Sequence, residues 1–253
     1  MTDTDRPRNP HQRGPADDTA VESLYPFLYA DTSNLDAVLA EVRRSTMDKA
    51  REIMALREKV LAADGARLVE CARDMARRFA VGGRLLTFGN GGSSTDSQDM
   101  ASLFLSPAGN GRPLPAFGLT NDIAVVTALS NDIGFDVVFS RQVAAFGRAS
   151  DIAVGLSTSG NSANLLRAFD EASRRGLLTV GIAGYDGGKM AELDSIDYLF
   201  VVNSASVHRI QEAQTTIYHA LWELTLDALL RVDEKKKPAA QAAQAVSTRG
   251  DPS

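Results

Sequence analysis

The chain has 253 residues, 44% of them hydrophobic, and its 27 Lys and Arg against 32 Asp and Glu leave a formal charge of -5. That length supports one α/β domain with helical additions, and a net acidic chain lacks the basic face that nucleic acid demands, so no nucleic-acid partner is expected. A single cysteine excludes an internal disulfide and suits the cytoplasm, and no run reaches the roughly 18 apolar residues of a membrane span.

Residues 1–22 carry Pro7, Pro10 and Pro15 among many charges and read as a disordered tail. Residues 233–253 pass from Lys235, Lys236, Lys237 and Pro238 into Ala, Gln and Ser, a second, low-complexity tail. Residues 23–232 between them are expected to form one domain. Leu24, Tyr25, Phe27 and Leu28 make an apolar knot at its start. Leu35, Val38, Leu39, Val42, Met47, Ile53, Met54 and Leu56 then recur at helical spacing, and Leu68, Val69, Ala72, Met75 and Phe79 do so from residue 64 to 80. Together they predict a helical hairpin over 33–80 that buries its stripe on the sheet or on another subunit. Cys71 falls in its second helix and is expected to be a buried, unreactive thiol.

Leu85, Leu86 and Phe88 form an apolar run of strand length, followed by Gly89, Asn90, Gly91 and Gly92 and by Ser93 where a helix begins. A helix start offers unpaired N–H groups and the positive end of the dipole, so this turn has the form of a phosphate site, with Ser93 and Ser94 adding hydroxyls. No lysine follows the glycines, which separates it from the nucleotide-binding Gly-Lys-Ser/Thr loop, and the spacing is not Gly-x-Gly-x-x-Gly. A tight turn needing glycine for geometry alone would look the same. A second copy favours the phosphate reading: residues 152–156 are another apolar strand, ending in Ser157, Thr158, Ser159, Gly160 and Ser162 before another helix.

The remaining elements are a Gly/Pro loop at 106–113, a strand at 116–119, helices at 122–129 and 135–146, a helix at 162–175, a strand at 177–182, a turn at 185–188, a short helix to Leu193, a strand at 198–202 and a long amphipathic helix at 207–230. Five strands alternating with helices specify an α/β fold, a three-layer αβα sandwich around a five-stranded, mostly parallel sheet. In such a sheet the ligand site lies at the carboxyl ends of the strands, where both Ser/Gly turns fall.

Gly89-Asn90-Gly91-Gly92-Ser93, Ser130-Asn131-Asp132, Ser157-Thr158-Ser159-Gly160-Asn161-Ser162, Asp186-Gly187-Gly188-Lys189 and Arg209-Ile210-Gln211-Glu212 occur in order. This set resembles the SIS (sugar isomerase) family, and within it the phosphoheptose (sedoheptulose 7-phosphate) isomerases, over residues 40 to 232. The resemblance implies a phosphorylated sugar as ligand, held by Asn90, Gly91, Gly92, Ser93, Asp132, Ser157, Thr158, Ser159, Ser162 and Gln211, and a homotetramer with sites shared between subunits. It also implies an aldose–ketose isomerase whose zinc is held by a histidine and a glutamate one helical turn apart and by a glutamine and a histidine on the last helix. Gln211 and His219 match the second pair. Asp99 and Leu103 stand in place of the first, and leucine neither accepts a proton nor binds a metal.

Loss of a positioned base costs about 10²- to 10⁴-fold in rate. Asp99 and His219 are the remaining candidate catalytic groups. A divalent ion held by Asp99, Gln211 and His219 and no metal at all stay open as alternatives, as do an interface histidine for His219 and a solvated carboxylate for Asp99. His208, beside Arg209, reads as an exposed helix-start histidine or a replacement acid or base. Two functions follow: a sugar-phosphate isomerase, or a non-catalytic relative that senses a phosphosugar or docks on a protein, like the family branch that binds the bacterial replication initiator.

Overall fold

A computed structural model describes residues 35–107 and 111–247, with side chains over 36–107 and 111–232. The expected tail at 1–22, the knot at Leu24 to Leu28, residues 108–110 of the Gly/Pro loop and residues 248–253 lie outside the described residues. The chain divides into two compact units, residues 1–51 and 52–253.

The first helix, α1, spans Leu35–Ala80 without interruption. The N-terminal region is helical as expected, but the predicted turn between two hairpin helices is absent. Residues 62–66, Ala-Ala-Asp-Gly-Ala, hold no proline, and a lone glycine costs a helix only about 1 kcal/mol. Asp64 pairs with Arg67 one turn on at 3.4 Å, and Leu56, Leu68, Cys71, Ala72, Met75 and Phe79 anchor the helix in the core. Within the first unit, Leu39, Val42 and Met47 are exposed.

In the second unit β1 (Leu85–Gly89) leads into α2 (Gly92–Leu105), β2 (Ala116–Gly118) into α3 (Ile123–Asp132), and a short turn at Phe135–Val137 into α4 (Val138–Phe146). Then come β3 (Ile152–Ser157), α5 (Ala163–Arg174), β4 (Leu178–Gly184), a short 3-10 turn at Gly188–Glu192, β5 (Tyr198–Val202) and α6 (Val207–Ser247). Helix α6 runs further than the amphipathic pattern to 230 predicts, because the Ala/Gln stretch favours helix. The five strands pair in the order β2-β1-β3-β4-β5, every pairing parallel.

Strands β1, β3 and β4 are buried at every position, as a sheet covered on both faces requires. Alternate residues feed two cores: Leu85, Ile152, Val154 and Val180 pack with Met75, Phe104, Ile210 and Leu221, while Leu86, Phe88 and Ala153 pack with Phe139, Val143 and Phe169. Helices α1, α2 and α6 therefore cover one face, and α4 and α5 the other.

Two consequences position the site. The chain leaves β1 for β2 on one side and resumes with β3 on the other, so the topological switch point lies between β1 and β3, where α/β sheets open a ligand crevice. At the opposite end these strands are fastened by Arg84, whose guanidinium meets the fully buried Asp151 at 2.7 Å and whose backbone N–H donates to Asp151 Oδ1 at 2.9 Å. Among the described residues no helix is long and apolar enough to cross a membrane.

Candidate functional site

Gly89 at the end of β1 is in register with Leu156 of β3, one residue before Ser157, so the two Ser/Gly turns leave neighbouring strands side by side. The first turn depends on Gly91, whose φ of 55° and ψ of -124° favour a residue without Cβ. It is closed by the Ser93 and Ser94 N–H groups donating to Asn90 O and Gly91 O, each at 3.0 Å. The second turn is closed by Ser157 Oγ, which accepts the Gly160 N–H at 3.0 Å, and by Ser159 Oγ, which accepts that of Asn161 at 3.3 Å. Gly160, at φ 66°, lies so close to Gly187 O that a Cβ there would stand 1.9 Å from it.

Asn90 and Asn164 join the turns. Their side-chain amides bond reciprocally, Nδ2 of each donating to Oδ1 of the other at 2.9 Å. Asn164 is 2% exposed, and its Oδ1 also accepts the Leu165 N–H. The starts of α2 and α5 are thereby tied side by side, each with the positive end of its dipole. Ser93 is buried in the first turn, Thr158 and Ser159 are partly exposed, and Ser162 precedes α5 with no side-chain cap. The Ser94 hydroxyl is already committed, donating to Thr120 Oγ1 at 2.9 Å.

Gln211 of α6 lies over Gly92: a Cβ on that glycine would be 2.3 Å from Gln211 Nε2. The same amide donates to Asp96 Oδ2 at 3.3 Å. Burial raises the Asp96 carboxyl above the ordinary range, the Gln211 bond opposes the shift and the Asp99 charge adds to it. One turn further along α2, Asp99 Oδ2 accepts the hydroxyl of Tyr218 at 2.8 Å and faces His219 Nε2 at 3.8 Å. Burial chiefly pushes the Tyr218 hydroxyl upward, with the Asp99 charge adding to the shift, so it stays protonated and donates. His219 lies 5.2 Å from the Tyr218 ring and 6.4 Å from that of Trp222.

The sequence-predicted residues thus fall into three groups. Asn90, Gly91, Gly92, Ser93, Ser157, Thr158, Ser159 and Ser162 line the two joined turns, with Gln211 covering the first. Asp99 and His219 face each other beside it. Asp132, exposed at the end of α3, accepts from Asn131 at 2.8 Å, and among the described residues no hydrogen bond ties it to either turn. The segment after it is held to α5 by Arg167 and Asp136 at 2.6 Å. His208 is exposed at the start of α6. Leu103 packs against the core of the α1/α2/α6 face, where it offers no donor. Sequence reasoning did not single out Asn164, Asp96 or Tyr218. An amide just inside a serine-opened helix and a carboxylate one turn before Asp99 were the available signals.

Known proteins share this fold and sequence. The SIS domain family matches residues 50–184. The phosphoheptose isomerase of Nitratidesulfovibrio vulgaris Hildenborough is 44% identical over 186 residues, 73% of this chain and 88% of that protein. That of Desulfovibrio desulfuricans is 45% identical over 194 residues, 76% and 88% of the two chains. Among solved structures, the phosphoheptose isomerase of Neisseria gonorrhoeae superposes with a TM-score of 0.67 at 35% identity, covering 73% of this chain and 99% of its own.

Proposed function

The chain belongs to the phosphoheptose isomerase family of SIS-domain proteins, and we propose on that premise that it binds a sugar phosphate between its two serine-rich turns and interconverts the aldose and ketose forms of sedoheptulose 7-phosphate or a related sugar phosphate. The observation that carries this reading is the Asn90–Asn164 amide pair, which makes two helix N-termini into a single anion site. Ser93, Ser157, Ser159 and Ser162 supply hydroxyls, Gly91 and Gly92 allow close backbone approach, and Gln211 caps the sugar. Asp132 is assigned to the same site from the family motif.

Along α2, Asp99 lies seven residues beyond Gly92, about 10 Å at 1.5 Å per residue. That separation suits a substrate whose carbonyl is several carbons from its phosphate. Isomerisation transfers a proton between adjacent carbons while the oxygens exchange theirs, so it needs a base beside the carbon and an acid beside the oxygen.

The family implies zinc, but the donors here do not make up its set. Leu103 is apolar, Gln211 is turned to Asp96, and only Asp99 and His219 of the proposed ligands face each other.

For the working protein we propose a homotetramer in the cytoplasm. Exposed Leu61 and an apolar groove of about 240 Å³ lined by Val60, Leu68, Ala213 and Ile217 support burial against another copy. Light scattering tests the assembly.

The experiment for the function is conversion of sedoheptulose 7-phosphate in either direction, with binding followed by calorimetry. Turnover with saturable binding is expected. Binding without turnover would favour the second reading, a non-catalytic phosphosugar sensor or docking protein, which the apolar Leu103 supports.

A further inference from the structure

We propose that Asp99 and His219 form the proton-transfer pair of this chain without a metal, and that Tyr218 is the positioning residue that holds Asp99 for it. This rests on the isomerase reading above. At the position one helical turn past Asp99, Leu103 packs, partly buried, against the hydrophobic core, so no base stands there. Asp99 is the next carboxylate back on the same helix face, and it is half exposed.

Its geometry is set from α6. Tyr218 is 2% exposed, and its hydroxyl donates to Asp99 Oδ2 at 2.8 Å. His219, the adjacent residue, brings Nε2 to 3.8 Å from the same oxygen. Both groups therefore address Oδ2, and among the described residues Oδ1 accepts no hydrogen bond. A carboxylate pinned at one oxygen and open at the other is oriented to take a proton from carbon. An unpinned aspartate would lose that orientation among its rotamers.

The step balances within the substrate. Asp99 Oδ1 takes the proton from the carbon beside the carbonyl, and that C–H electron pair becomes the C=C bond of an enediol as the carbonyl oxygen takes a proton from the His219 imidazole. In the second half Asp99 returns its proton to the former carbonyl carbon, and the neighbouring hydroxyl gives its proton back to His219 as the new carbonyl forms. No oxidant or reductant is needed.

The test uses the full chain and sedoheptulose 7-phosphate, with Tyr218→Phe and Asp99→Asn compared against wild type. Loss of one hydrogen bond to a charged group is expected to lower kcat of Tyr218→Phe roughly tenfold to a hundredfold, while KM and the calorimetric Kd for the sugar phosphate stay unchanged. Asp99→Asn is expected to lower kcat about 10²- to 10⁴-fold, and it keeps an acceptor for Tyr218 should Tyr218→Phe fold poorly. Wild-type turnover is expected to survive a chelator. Wild-type kcat in either variant, a fall in kcat matched by an equal loss of sugar-phosphate affinity, or turnover abolished by chelator and restored by zinc each overturns the proposal while leaving the isomerase reading in place. Absence of wild-type turnover in both directions overturns both.

Discussion

Replacing Asn164 with alanine removes both hydrogen bonds to Asn90, each 2.9 Å long, and the 3.0 Å acceptor for the Leu165 N–H. A net hydrogen bond contributes about 0.5–1.5 kcal/mol, so the pair is worth about 1–3 kcal/mol, and Tm is expected to fall by roughly 2–12 °C for a domain of this size. The more telling effect is on the ligand. If one phosphate spans both turns, releasing them from each other costs binding energy as well as stability. A penalty of about 1–2 kcal/mol raises Kd for sedoheptulose 7-phosphate roughly fivefold to thirtyfold. Asn164→Asp is expected to be worse, because it places a carboxylate near the phosphate. Calorimetry with sedoheptulose 7-phosphate and with inorganic phosphate measures both. A lower Tm with unchanged affinity in Asn164→Ala would refute the claim that the turns act as one anion site.

Gly160→Ala would put a methyl carbon 1.9 Å from Gly187 O at a φ of 66°, and is expected to cost several degrees of Tm in a thermal melt, well beyond Gly82→Ala, where open space surrounds the site. Asp96 has a raised carboxyl pKa, so the unfolded chain gives up that proton first and stability falls as pH rises from the ordinary aspartate value through the folded one. Asp96→Asn is accordingly expected to raise Tm at pH 7 more than at pH 4, and equal shifts at both would contradict that origin. Asp99→His combined with Leu103→Glu rebuilds the family's donor pattern. Zinc-dependent turnover is expected at the expense of stability, since Leu103 packs on the core. A rebuilt variant that still ignores zinc in a turnover assay would show that the two positions do not project into the crevice.

Much of this was legible in the chain. Strands such as Leu85–Gly89, apolar but for Thr87, and Ile152–Ser157 end in Gly/Ser turns, so their burial and parallel pairing follow from composition and order. The break expected between about Ala62 and Asp64 is absent, because packing of Leu56, Leu68 and Cys71 outweighs one nearby glycine in the helix. Asn164 could not be read as the clasp between the turns, since its partner is 74 residues away in sequence and one amide carries no periodic signal. Tyr218 is a buried aromatic of α6. That its hydroxyl ends on Asp99 depends on how α6 lies against α2, and only the folded chain specifies that.

The most direct measurement is a crystal structure of the protein soaked with sedoheptulose 7-phosphate. The phosphate is expected between the start of α2 at Ser93 and the hydroxyls of Ser157, Ser159 and Ser162, with the carbonyl end of the sugar towards Asp99 and His219. A phosphate bound anywhere else, or density confined to one of the two turns, would contradict the account.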